Sequence, residues 1–192
     1  MRLFVALEIP ESVRENLAAI RNNFSPVDPI VRWVPQQNFH VTLKFIGSVP
    51  PEKLPPIIEA LRRVSLADHV QLRIRGVAWF FNAKSGTMLF ATVEDSTPLT
   101  ALATAIDQQL QHLGFTAEDR TFMPHLTFLR AGRDTLASSQ IALRDLAEQY
   151  RQYDFGSVTP EEFHLIESKT LSTGPIYSKL QSFPIAAALP EN

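Results

Sequence analysis

Cysteine is absent from the 192 residues, which excludes disulfides and thiolate metal sites and leaves nothing that needs an oxidising compartment. No run approaches the ~18 apolar residues of a membrane helix. The segment Met1–Pro10 holds one basic residue and a short apolar stretch, less than a secretory signal requires. A cytoplasmic location with no membrane partner is the expectation. An excess of positive charge is missing too: 18 Lys and Arg stand against 20 Asp and Glu, a net charge of −2. Proteins that coat long nucleic acid carry a strong basic excess. Any RNA recognised here is therefore expected to be held by its end, where a local basic pocket suffices. Gly/Ser linkers and low-complexity tracts are absent as well. With 45% hydrophobic and 20% charged residues the chain has ordinary globular usage, and a single domain over residues 1–192, built as two lobes, is the simplest organisation.

What is present reads as strands and helices in irregular alternation. Arg2–Ile9 has the character of a buried strand closed by Pro10, and Ser12–Phe24 that of a helix with Val13, Leu17, Ile20 and Phe24 on one face. Val31–Trp33 is short and extended, Pro35–Asn38 a turn, and His40–Val49 a strand that stops at Gly47 and the Pro50-Pro51 pair. A helix near Lys53–Val64 carries Leu54, Ile57, Ile58, Leu61 and Val64. Val70–Phe80 alternates and turns aromatic at Trp79-Phe80-Phe81; the loop Asn82–Thr87 leads into a strand, Met88–Val93. Thr97-Pro98 opens a helix bearing Leu99, Leu102, Ile106, Leu110 and Leu113, and Gly114 ends it. A strand at His125–Arg130, a helix near Leu136–Tyr150 and strands near Glu162–Glu167 and Tyr177–Phe183 follow. This mixture, without a βαβ rhythm, predicts an α+β fold with antiparallel sheets.

One internal echo carries chemistry. Phe39-His40-Val41-Thr42-Leu43-Lys44-Phe45 is matched by Pro124-His125-Leu126-Thr127-Phe128-Leu129-Arg130. In a strand, residues i and i+2 share a face roughly 7 Å apart. His40 with Thr42, and His125 with Thr127, are thus expected on polar faces, with Val41, Leu43 and Phe45, and Leu126 and Phe128, turned to the core. Two such strands across a cleft would suit a phosphodiester: imidazoles titrate near working pH and serve as acid and base, while threonine hydroxyls donate to non-bridging oxygens. Core patterning is the alternative source of the same repeat.

The segment from Arg32-Trp33-Val34-Pro35 through Asn38 to Gly47, with Pro124-His125-Leu126-Thr127 downstream, resembles the two-histidine (2H) phosphoesterases. Within them it is similar to the bacterial RNA 2′,3′-cyclic phosphodiesterases, also called 2′-5′ RNA ligases. The resemblance spans nearly the whole chain. It implies two pseudo-symmetric lobes, each an antiparallel sheet with helices packed outside, around a central cleft. It also implies hydrolysis of a terminal 2′,3′-cyclic phosphate to a 2′-phosphomonoester, with reversible 2′-5′ ligation. His40 would be the proton donor, His125 the proton acceptor, and Thr42 and Thr127 the phosphate holders. Acid and base are assigned by the resemblance alone, because the copies are equivalent in pattern. The partners implied are RNA ends bearing the cyclic phosphate, tRNA fragments among them, acted on by a monomer with no cofactor and no metal.

Arg130 matches a basic position of the family, yet an ideal strand puts it on the face of Leu126 and Phe128. It reaches the phosphate only if the strand bulges or ends after Phe128. Lys44 has the parity for the cleft, with a solvated lysine as the other reading. Trp33, Trp79, Phe80 and Phe81 read mostly as core, Phe81 being the one expected to be exposed as a base-stacking surface. His112 reads as a helix C-terminal residue, and His69 and His164 have no partner nearby in sequence. Three rival functions are a small-nucleotide cyclic phosphodiesterase, a metal-dependent hydrolase and a non-catalytic RNA-end binder. The metal reading lacks His-x-His or His-Glu-x-x-His spacing, as ATP-driven ligation lacks a Gly-x-x-x-x-Gly-Lys loop.

Overall fold

An unbroken apolar run from Leu3 to Leu7 gives a strand buried on both faces, β1 (Arg2–Glu8). A strand of that kind belongs inside a sheet. It lies between β3 (His40–Ser48) and β8 (Glu162–Leu171), with β9 (Gly174–Pro184) outermost, in the order β3-β1-β8-β9. The second sheet runs β2-β6-β5-β4-β7, from β2 (Val31–Trp33), β6 (His125–Ala131), β5 (Gly86–Val93), β4 (Leu72–Asn82) and β7 (Asp154–Val158). Every pairing is antiparallel. This computed structural model describes residues 1–23, 31–66, 68–84, 86–94, 97–171 and 174–185; Phe24, expected on the first helix, lies outside them.

Four α-helices stand among the described residues: α1 (Glu11–Ala19), α2 (Leu54–Arg62), α3 (Thr97–Gln111) and α4 (Ala137–Gln149). In α3 the buried residues Leu99, Leu102, Ile106 and Leu110 recur at three and four, and Gly114 ends the segment at φ +84°. α1 is shorter than its pattern suggests, tightening into a 3-10 turn over Ile20–Asn23 that keeps Ile20 buried. β7 is a strand that its sequence does not announce, because Phe155 is its one buried residue. At the β4–β5 turn Gly86 has φ +88°, and a Cβ there would run into the backbone of Ala131 and Gly132, so only glycine lets β5 begin against the end of β6.

The helices cover one face of each sheet: α1 packs on β7, α4 on β4 and β5, and α3 on β3 and α2. One hydrophobic cluster runs from Leu3 to Ile185 through both sheets and all four helices. A second, small cluster of Phe4, Ala6 and Ile166 with Tyr177 against it lies on the opposite face of the first sheet. The fold is the α+β arrangement of two antiparallel sheets that the pattern predicts. Among the described residues no helix is long and apolar enough to cross a membrane.

Candidate active site

β3 and β6, one from each sheet, come into contact, and each begins with its histidine. A 3-10 turn, Gln36–Asn38, precedes His40, and Pro124 precedes His125. His40 Nδ1 lies 2.7 Å from the Asn38 carbonyl oxygen and His125 Nδ1 lies 2.8 Å from that of Met123. A carbonyl only accepts, so Nδ1–H donates in both rings, and Nε2 is left as the nitrogen through which a neutral ring takes up a proton. Asn38 is itself tied down, its buried side-chain amide donating to Pro175 O at 2.9 Å.

Both strands then bulge at the same place. Against β1, Thr42 pairs with Ala6 and Lys44 with Val5, leaving Leu43 extra. Against β5, Thr127 pairs with Phe90 and Leu129 with Leu89, leaving Phe128 extra. An extra residue reverses the alternation beyond it. Phe45, expected in the core, is therefore 65% exposed on the open face, and Lys44, expected toward the cleft, is 6% exposed. The Lys44 ammonium donates to Thr116 O at 2.9 Å and pairs with Asp107 on α3. In β6 the same reversal buries Leu129 and turns Arg130 out to the face of His125 and Thr127, the bulge its reach required.

The rings are walled by aromatics. His40 packs on Phe4 (centroids 4.9 Å) and Tyr177 (5.3 Å), and His125 meets the edge of Phe90 at 5.2 Å. Thr127 Oγ1 and Arg130 Nη1 both donate to Met88 Sδ, at 3.3 and 3.4 Å. Burial lowers the His40 pKa below the usual histidine value; the Asn38 carbonyl opposes this, and the positive charges of His125 and Arg130 add to it. Burial likewise raises Tyr177, against the pull of Arg130 and Arg2. Groups on the second sheet thus act on groups of the first, so the two open faces converge. His40, Thr42, His125, Thr127 and Arg130 belong to these faces, whereas Lys44 does not.

The remaining candidates fall elsewhere. Trp33 is half-buried and stacks on Phe128 at 6.0 Å. Trp79 and Phe80, expected in the core, are exposed alongside Phe81 (40, 54 and 46%). His69 and His112 are exposed. His164 is buried and does find partners, across strands: its Nδ1 lies 2.9 Å from Ser182 Oγ and its Nε2 3.6 Å from Glu8 Oε2. Phe4, Phe90 and Tyr177 were invisible as site residues, since only sheet register brings them to the histidines. Among the described residues no group of three or more His, Asp or Glu is placed to hold a metal. A separate cavity of about 700 Å³ between α1, β4 and β7 is lined by Arg73, Glu94 and Asp154, whose charges pair with one another.

A family model described as "LigT like Phosphoesterase" matches residues 7–89 and again 92–177, so each match contains one His-x-Thr strand. The chain is 34% identical over 183 residues to the RNA 2′,3′-cyclic phosphodiesterase of Archaeoglobus fulgidus, covering 95% of this chain and 99% of that one. The enzyme of the same name from Methanocaldococcus jannaschii is 29% identical over 95% and 100% of the two chains. Among solved structures, the Thermus thermophilus protein TT0787 superposes with a TM-score of 0.78 at 26% identity, covering 96% of this chain and 98% of that one.

Proposed function

The chain belongs to the LigT-like phosphoesterases, and on that footing we propose that it hydrolyses the terminal 2′,3′-cyclic phosphate of RNA to a 2′-phosphomonoester, with His40 and His125 as its acid and base. The observation that carries the reading is the repeated strand: two imidazoles, each pinned through Nδ1 to the carbonyl two residues before it, each beside a threonine on a converging face.

Hydrolysis needs a proton removed from water and a proton given to the departing oxygen, on opposite sides of phosphorus. His125 Nε2 takes the proton of water as its oxygen bonds to phosphorus. The bond from phosphorus to the 3′ oxygen breaks, and His40 Nε2–H supplies that oxygen with its proton. The product carries a 2′-phosphate and a free 3′-hydroxyl. Thr42 and Thr127 donate to the non-bridging oxygens, and the Arg130 guanidinium balances the charge that gathers there. Burial and the neighbouring cations disfavour a proton on His40 in the free site. An anionic substrate reverses that field, so binding loads the acid. With a 5′-hydroxyl in place of water the same steps join two ends: its oxygen bonds to phosphorus as His125 takes its proton, the 3′ oxygen leaves with the proton of His40, and a 2′-5′ linkage results that the reverse steps cleave. Residues 1–192 act as one unit in this reading, each half bringing one histidine.

The deciding experiment is end-group analysis of the product from a defined oligonucleotide ending in a 2′,3′-cyclic phosphate. A 2′-phosphate with a 3′-hydroxyl is expected; a 3′-phosphate, or no turnover, overturns the reading.

A further inference from the structure

The open face of the second sheet holds more than the histidine strand. Register partners on neighbouring strands share a face, about 5 Å apart. Arg32 on β2 pairs with Arg130 on β6, Arg130 with Met88 on β5, and Met88 with Phe80 on β4. Four strands therefore place guanidinium, guanidinium, thioether and phenyl in a single row, roughly 15 Å long. The row lies on the face of His125 and Thr127, beyond Thr127 along β6. Trp79, the neighbour of Phe80, points the other way, under the Arg144 guanidinium of α4 at 4.5 Å, which leaves Phe80 on the open side at 54% exposure.

Two like charges directly opposite one another on a sheet repel, and an acidic neighbour would ordinarily relieve them. Among the described residues neither Arg32 nor Arg130 has a carboxylate partner; the side-chain hydrogen bond of Arg130 goes to Met88 Sδ. An anion is the missing element. On the facing sheet Glu8, the register partner of His40, is an acid already committed to Lys179 at 2.8 Å. Beside the two guanidiniums, Met88 and Phe80 form an apolar shelf suited to the π-face of a base.

We infer that this row is a subsite for the nucleotide preceding the cyclic end, with Arg32, next to the Arg130 that holds the cyclic phosphate, on its phosphate and Phe80 and Met88 under its base. The inference rests on the cyclic phosphodiesterase reading and narrows it: the substrate is an RNA strand of at least two nucleotides, with a mononucleotide cyclic phosphate a poor substitute. The shelf reads no base edge, so base identity at that position is immaterial.

The test compares kcat/KM on a mononucleotide 2′,3′-cyclic phosphate and on a trinucleotide ending in one, for the wild type, Arg32→Gln, Phe80→Ala and Phe80→Trp. Alongside, direct titration of the trinucleotide and mononucleotide 2′-phosphates measures affinity whether or not turnover occurs. The wild type is expected to prefer the trinucleotide at least tenfold. Phe80→Ala and Arg32→Gln should each remove about tenfold on the trinucleotide in both measurements and leave the mononucleotide within about twofold, while Phe80→Trp keeps the preference. Equal handling of the two lengths by the wild type, or equal losses on both in the variants, overturns the subsite. Absence of turnover with the length preference in binding intact would instead overturn the phosphodiesterase reading and leave the subsite standing.

Discussion

Leu43 and Phe128 are each the surplus residue of a β-bulge, three positions beyond His40 and His125. Each bulge lets a strand show the open face a histidine and a threonine, then turn its next residue inward and the following one outward. In the first copy this hides Lys44 and exposes Phe45; in the second it hides Leu129 and exposes Arg130. The same backbone device thus gives one wall of the cleft an aromatic and the other a guanidinium.

Removing either imidazole removes one of two proton transfers. His40→Ala and His125→Ala are each expected to lower kcat by about 10²- to 10⁴-fold. The double variant should fall little further, because the two groups act in one step. Initial rates on a cyclic-phosphate oligonucleotide, with circular dichroism to verify folding, check both. Substantial turnover in either single variant contradicts the mechanism.

The pH dependence has a defined sign. His40 has a lowered pKa in the free site, so the protonated form needed of an acid is lost as pH rises through a value below the ordinary 6.5. The alkaline limb of kcat/KM is expected below the usual histidine range. That of kcat, read in the substrate complex where an anion stabilises the charged ring, should lie at higher pH. His40→Ala should abolish the alkaline limb of the residual rate.

Arg130 is expected to bind rather than to move protons. Arg130→Ala should lower kcat/KM by about 10- to 100-fold, an amount in keeping with a lost charge-assisted contact. Arg130→Lys recovers part of this as a point charge without the fork. An unchanged kcat/KM in Arg130→Ala would remove the guanidinium from the site.

Lys44 and Asp107 are a matter of stability. Burial alone would raise the Asp107 carboxyl, but the Lys44 ammonium, with donors from Glu118 N and Gln111, holds it below the usual carboxylate value. Asp107→Ala strands a buried ammonium and is expected to cost about 2 kcal/mol, a fall in Tm of about 4–8 °C. Since the folded pKa is depressed, the stabilisation is complete above the unfolded carboxyl pKa and fades as pH falls through the folded one. Thermal melts of both proteins between neutral and acidic pH should converge. A constant gap would contradict the assignment.

His164 adds a second acid sensitivity. Burial lowers its pKa and Lys179 adds to this, outweighing Glu8 and Glu162. The folded chain therefore favours the neutral ring, and stability held above 6.5 declines as pH falls below it. His164→Asn should flatten the Tm profile from pH 7.5 to 5.5, a range that lies above the Asp107 effect.

The two-sheet architecture was legible because its signals are local: the apolar run of β1, the three-four spacing of α3, the His-x-Thr repeat. The polar face of His40 and Thr42 follows from strand alternation alone. Beyond Thr42 alternation fails, since the Leu43 bulge depends on pairing with β1 and leaves no mark in Leu43-Lys44-Phe45. Phe45 and Lys44 were consequently read inside out, and Arg130 depended on a bulge that could be named but not foreseen. Tyr177 and Phe4 reach His40 from strands far along the chain. Phe80 and Trp79 look like core by composition, yet Phe80 stands on the open face and Trp79 is covered only in part, by the Arg144 side chain of α4.

β1 sits between β3 and β8, with Leu3 opposite both Gly47 and Glu167. As the chain leaves the ribosome, its first ladder can form once β3 has emerged, but the other edge of β1 stays bare until β8 follows. At 5–20 residues per second that interval lasts roughly ten seconds. An apolar strand with one open edge is a template for foreign pairing, so the nascent protein should depend on chaperone protection through most of its synthesis and be released from it by the last hairpin made.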